Sequence, residues 1–141
     1  MATQPNGTGR FTTTSWEEKQ PDEEASGPRL GHAYTTSTFE GVVEGTTAAD
    51  YVMYYSGQGE GWGSGTYTGY EQVTGTIAGR SGTFVLQHAG EFDGANVGGR
   101  WTVVTGSGTG ELAGISGVGG FTATHGDQGT PYTFAYTIAD Q

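Results

Sequence analysis

Thr74-Gly-Thr-Ile-Ala-Gly-Arg-Ser-Gly82 and Thr109-Gly-Glu-Leu-Ala-Gly-Ile-Ser-Gly117 agree at six of nine positions. In each copy an apolar residue, Ile77 or Leu112, stands two places after a Gly. Ala-Gly-x-Ser-Gly follows, and then an apolar stretch with an aromatic ring, Phe84 or Phe121. Such punctuation between β-type runs reads as strand, tight turn, strand. The repetition therefore predicts a β architecture on both sides of each turn.

Outward from the repeat, β-prone runs recur at residues 10–18, 30–39, 49–55, 66–77, 83–92, 97–104, 118–125 and 132–138, with Gly or Gly-Asp turns between most of them. The run 49–55 is the most apolar and reads as a strand buried on both faces, with a short helix as the alternative. Hardly any helical period is present. Regular short strands of this kind build an antiparallel sandwich or a closed barrel. Glycines inside the runs, at Gly69, Gly75, Gly90 and Gly119, supply the coiling and bends a barrel needs. The fold expected is all-β: a single antiparallel barrel of about eight strands, just wide enough inside for side chains or one small ligand. Residues 1–9 read as a flexible tail and 10–141 as the one domain. Residues 17–28 carry charge and two prolines without a hydrophobic period, and read as a solvated loop. Residues 57–65 read as a flexible Gly-rich loop whose Trp62 packs on the rim or covers a pocket.

Composition narrows the functions. A chain of 141 residues with 28 Gly, 12% aromatics and 4 Pro is neither collagen-like nor disordered, because the Gly lacks a three-residue period and aromatic-rich runs recur. Net charge is −10 with only 5 Lys and Arg, so nucleic acid and anionic membranes are poor partners. Without Cys there is no disulfide framework, no thiolate nucleophile and no Cys-based zinc site. His32, His88 and His125 fall in separate strands without paired spacing, so no metal site is expected. No run approaches the ~18 apolar residues of a membrane helix. The N-terminal residues show neither a basic nor an apolar signal region, and a cytoplasmic location is expected.

Period-two alternation sorts side chains by face. Glu71 shares a face with Val73 and Ile77; Phe84, Leu86, His88 and Phe92 share another; Trp101 goes with Val103, Phe121 with Ala123 and His125, and Tyr136 with Tyr132, Phe134 and Ile138. Phe11 and Trp16 fall on opposite parities, which requires a bulge or burial on both faces of the first strand. A carboxylate facing an apolar lumen is costly unless it is paired, with His88 or an Arg, or protonated. Glu71 and His88 are thus the candidate acid–base residues, the alternative being a structural carboxylate and a hydrogen-bonded core histidine. Trp16, Phe84, Leu86, Trp101, Phe121 and Tyr136 are the candidate substrate-binding residues. Ser81 and Ser116 are turn residues rather than nucleophiles, since no strand-to-helix elbow surrounds them. Gly108-Thr-Gly-Glu-Leu-Ala113 matches a dinucleotide fingerprint by letter only, with no βαβ unit around it.

The stretches 79–88, 101–104, 106–114 and 119–121, together with Ser15-Trp-Glu-Glu18 and Tyr70-Glu-Gln-Val-Thr-Gly75, resemble the bacterial domain-of-unknown-function family three-two-two-four over residues 11–134. That family is similar in fold to the allene oxide cyclase barrel, a calycin-like closed sheet of eight antiparallel strands around a cavity. The resemblance implies a cofactor-independent cyclase or isomerase acting on a small hydrophobic, polyketide- or lipid-like metabolite in the lumen. The alternative is a barrel that binds such a molecule without changing it, or one whose lumen its own side chains fill. No cofactor is expected, and association as a homodimer is.

Overall fold

A computed structural model describes residues 6–20, 27–57, 63–94, 96–124 and 129–139. Trp62 and His125 lie outside the described residues. The strands are β1 (Asn6–Lys19), β2 (Arg29–Gly41), β3 (Glu44–Tyr55), β4 (Ser64–Ile77), β5 (Arg80–Asp93), β6 (Asn96–Val103), β7 (Ile115–Thr124) and β8 (Thr130–Ile138). Each pairs antiparallel with the next, and β1 pairs with β8 from Asn6 opposite Ala135 to Phe11 opposite Thr130, so the eight strands close into an up-and-down barrel. Among the described residues no helix is long and apolar enough to cross a membrane.

Several elements differ from the sequence reading. β1 starts at Asn6, inside the expected tail, because residues 6–9 supply the ladder that closes the ring on β8. The run 49–55 is buried on one face only: Ala49, Met53 and Tyr55 point inward while Val52 and Tyr54 are exposed. The two copies of the repeat also part ways. In the first, Ala78 and Gly79, both at positive φ, turn β4 directly into β5 with Ile77 opposite Arg80, the left-handed pair that a two-residue hairpin requires. In the second, the residues ahead of the turn form a short 3-10 helix (Gly110–Leu112) rather than a strand.

That departure has a structural use. β6 pairs with β5 only from Leu86 to Phe92, which leaves the start of β5, paired with β4 on one side, without a strand on the other. The 104–111 segment covers it: Thr109 N–H donates to Thr83 O, Ser107 Oγ accepts from Val85 N–H, and Glu111 Oε1 accepts from Ser81 N–H. Leu112, fully buried, plugs this end of the barrel beside Ile77 and Ile115.

The closed end is packed solid with Ile77, Phe84, Leu86, Val103, Leu112, Ile115, Phe134, Tyr136 and Ile138. Above them five rings form a layer across the lumen. Phe11 stacks on Phe39 at 5.0 Å and meets Phe121 edge-on at 5.3 Å, while Trp101 lies 5.8 Å from Phe121 and 5.7 Å from Tyr132. Beyond this layer the lumen is open.

Candidate functional site

β1 brings both Phe11 and Trp16 to the lumen because its register slips between Thr13 and Ser15, an extra residue that switches the inward parity. β3 contributes Tyr51, Met53 and Tyr55, β4 Tyr67 and Glu71, β5 His88 and Phe92, and β7 Phe121 and Ala123. With the hydroxyls of Thr35 and Ser37 they surround a cavity of about 400 Å³, within the range of small-molecule sites. At its mouth Glu18 accepts hydrogen bonds from the Tyr55 hydroxyl and from Trp16 Nε1, and the Arg29 guanidinium stacks over the Tyr55 ring at 4.5 Å.

Glu71 and His88 are diagonal neighbours on β4 and β5, Glu71 opposite Leu86 and His88 opposite Gly69. Both are buried, at 3% and 2% exposure. His88 Nε2 stands 2.8 Å from Glu71 Oε1, and the Thr47 hydroxyl donates to Glu71 Oε2 at 2.6 Å. A carboxylate taken out of water needs such partners, and here each oxygen has one. The imidazole is wedged edge-to-face between Tyr51 at 5.4 Å and Trp101 at 5.3 Å, which fixes its plane. With Nε2–H given to Glu71, Nδ1 is the free nitrogen, and it has no hydrogen-bond partner among the described residues. Burial and the Glu71 charge push the Tyr51 and Tyr67 phenols well above their usual range, so both stay protonated.

Of the residues named from sequence, Glu71, His88, Trp16 and Phe121 border the cavity. Trp101 lies in the five-ring layer, and Phe84, Leu86 and Tyr136 lie in the solid end. They share the inward face, but alternation fixes the face and not the depth along the barrel. Phe84 is four residues down β5 from His88, about 13 Å along the strand. Sequence reasoning missed Thr47, Tyr51, Met53, Tyr55 and Tyr67. The odd-numbered parity of 51, 53 and 55 would have found three of them, and the alternation through Glu71 a fourth, Tyr67; Thr47 shares the odd-numbered parity but precedes the apolar run 49–55. Among the described residues no group of three His, Asp or Glu side chains is placed to hold a metal ion.

The chain's sequence over residues 7–136 matches the family described as a protein of unknown function, DUF3224. No curated protein matches it. A crystal structure of a protein with unknown function from the DUF3224 family of Shewanella oneidensis MR-1, at 1.84 Å resolution, is similar with a TM-score of 0.76. The two are 28% identical, over 99% of this chain and 100% of that one. With the match running through all eight strands of the barrel, the chain belongs to the DUF3224 family.

Proposed function

We propose that this barrel is a cofactor-independent cyclase or isomerase for a small hydrophobic, polyketide- or lipid-like metabolite held in the open half of the lumen. The observation that supports this best is the Thr47–Glu71–His88 chain bordering an otherwise largely apolar cavity. Glu71 holds the imidazole in the Nε2–H tautomer and stabilises the imidazolium that forms when Nδ1 takes a proton, the role an orienting carboxylate plays for any histidine base. The ring layer beneath closes the lumen on that side, and the cavity walls hold one conformer of the substrate for ring closure or proton transfer. In this reading the protein works in the cytoplasm, and two copies associate through the outer face.

Native mass spectrometry of the purified protein, with its organic extract analysed for co-purifying molecules, tests the ligand class. With that molecule in hand, Glu71→Gln is expected to abolish turnover while leaving affinity and folding nearly intact. Turnover that survives the change removes Glu71 from the mechanism. A ligand that is bound and released unchanged by the parent protein favours a non-catalytic binding barrel.

A further inference from the structure

Two shielded polar atoms on cavity-lining residues lack partners among the described residues: His88 Nδ1 and the Tyr67 hydroxyl. Leaving such a group unpaired costs about 1–3 kcal/mol; both atoms are shielded from the open space of the cavity, so a ligand atom that pairs with them must press in among the surrounding rings. Tyr67 is held firmly by the barrel wall. Its ring lies flat across the two neighbouring strands, where a Cβ on Gly90 would stand 2.6 Å from Tyr67 Cε1 and one on Gly99 2.2 Å from its hydroxyl. Tyr51 braces it edge-on at 5.4 Å and braces His88 the same way at 5.4 Å, so one ring positions both. The raised phenol remains an O–H donor throughout the neutral range. Among the described residues the lining holds the carboxylates Glu18 and Glu71 and no Lys or Arg, so it disfavours an anionic ligand.

We infer that the cavity takes a neutral, enolisable ketone, with the Tyr67 hydroxyl donating to the carbonyl oxygen and His88 Nδ1 removing a proton from the adjacent carbon. This rests on the acid–base reading of His88 given above. The C–H bond breaks and its electron pair forms the carbon–carbon double bond of an enolate. The carbonyl π pair moves onto oxygen, where the Tyr67 O–H stabilises it, and the proton resides on Nδ1 with Glu71 opposite. In a conjugated ketone, returning that proton to a different carbon completes an isomerisation with no net gain or loss of protons or electrons. A donor aimed at charge that develops on oxygen is among the strongest contributions a site can make to such a step.

The test uses β-tetralone, an apolar ketone with acidic α-hydrogens, and tetralin, its carbonyl-free analogue. Binding is measured by titration, and deuterium uptake at the α-carbon by NMR in heavy water, for the parent protein, Tyr67→Phe and His88→Gln. The parent is expected to prefer β-tetralone to tetralin by about tenfold, and Tyr67→Phe to lose that preference while still binding tetralin. α-Exchange is expected to fall by about a hundredfold in Tyr67→Phe and to background in His88→Gln. Equal binding of the two molecules by the parent, a preference that survives Tyr67→Phe, or no binding of either overturns the inference. A preference that depends on Tyr67 without any exchange in the parent keeps the carbonyl contact and overturns His88 as the base.

Discussion

His88→Phe separates a pair kept for chemistry from one kept for stability. Phe keeps an aromatic ring against Tyr51 and Trp101, 5.4 and 5.3 Å from the imidazole, and removes both ring nitrogens, including the Nε2 that faces Glu71 at 2.8 Å. The carboxyl is then left 3% exposed with Thr47 as its one partner. Removing one member of a buried pair costs about 3–5 kcal/mol, whereas replacing both with apolar residues of similar volume is often neutral or stabilising. At about 2.1 cal/mol/K per residue, 141 residues give about 0.3 kcal/mol per degree. The single variant should therefore lose about 10–17 °C in Tm. The double variant Glu71→Leu, His88→Phe should recover most of it. Urea unfolding followed by the fluorescence of buried Trp101, with the Glu71→Leu single variant completing the cycle, measures the coupling. A loss below about 1 kcal/mol in His88→Phe, with no recovery in the double variant, would mean that the two groups do not depend on each other. The case for a dyad set apart from the core would then collapse.

Tyr132→Phe should cost about 2 kcal/mol by urea unfolding, because the Tyr132 hydroxyl donates to Glu40 O and accepts from the buried Val43 N–H, which has no other acceptor among the described residues; a change below about 0.5 kcal/mol would show that water replaces it. Tyr51, Tyr55, Tyr67 and Tyr132 all hold their protons above the usual value of 10.0, chiefly through burial. Above that pH the unfolded chain has lost phenol protons that the folded chain retains. Stability is therefore fully present below about pH 10 and falls as pH rises beyond it, which urea midpoints at about pH 9 and pH 11 will reveal; a flat profile counts against the burial of these rings. On the outer face Leu30, Tyr34, Val52, Tyr54 and Tyr70 are exposed and cluster on β2, β3 and β4, Leu30 opposite Tyr54. If copies associate there, Tyr54→Glu should convert a dimer to a monomer in sedimentation velocity, while an unchanged parent monomer dismisses that use of the face.

Strand number and closure were legible because the alternation and the Gly turns agree along the whole chain. Glu71 and His88 could be placed on the same side of the wall because each follows its strand's parity. What alternation cannot encode is depth, which is why Phe84 and Leu86 belong to the solid end and Tyr67 to the open one. The second Ala-Gly turn misled for a related reason. Its φ/ψ demand is met by Ala113 and Gly114 just as well after a 3-10 turn as after a strand, with Gly114 alone at positive φ. Glycine content was read as curvature, and part of it is instead room. A Cβ on Gly31 would stand 2.8 Å from the Tyr55 ring, one on Gly65 2.8 Å from Phe92, and one on Gly119 2.3 Å from the Trp101 nitrogen, so large rings lie down on neighbouring strands where the side chain is missing.

The closing ladder between β1 and β8 bears on how much strand edge this chain offers to others. An open sheet of strands this long would offer two edges of unpaired N–H and C=O groups to other chains. Here residues 6–11 of β1 and 130–135 of β8 satisfy each other, residues 12–19 of β1 extend past that ladder, and the β6 side of the start of β5 is covered by the 104–111 segment. Opening the seam would offer both strands along that ladder to cross-β growth, so it is the completed ring, rather than any strand within it, that limits the edge on offer.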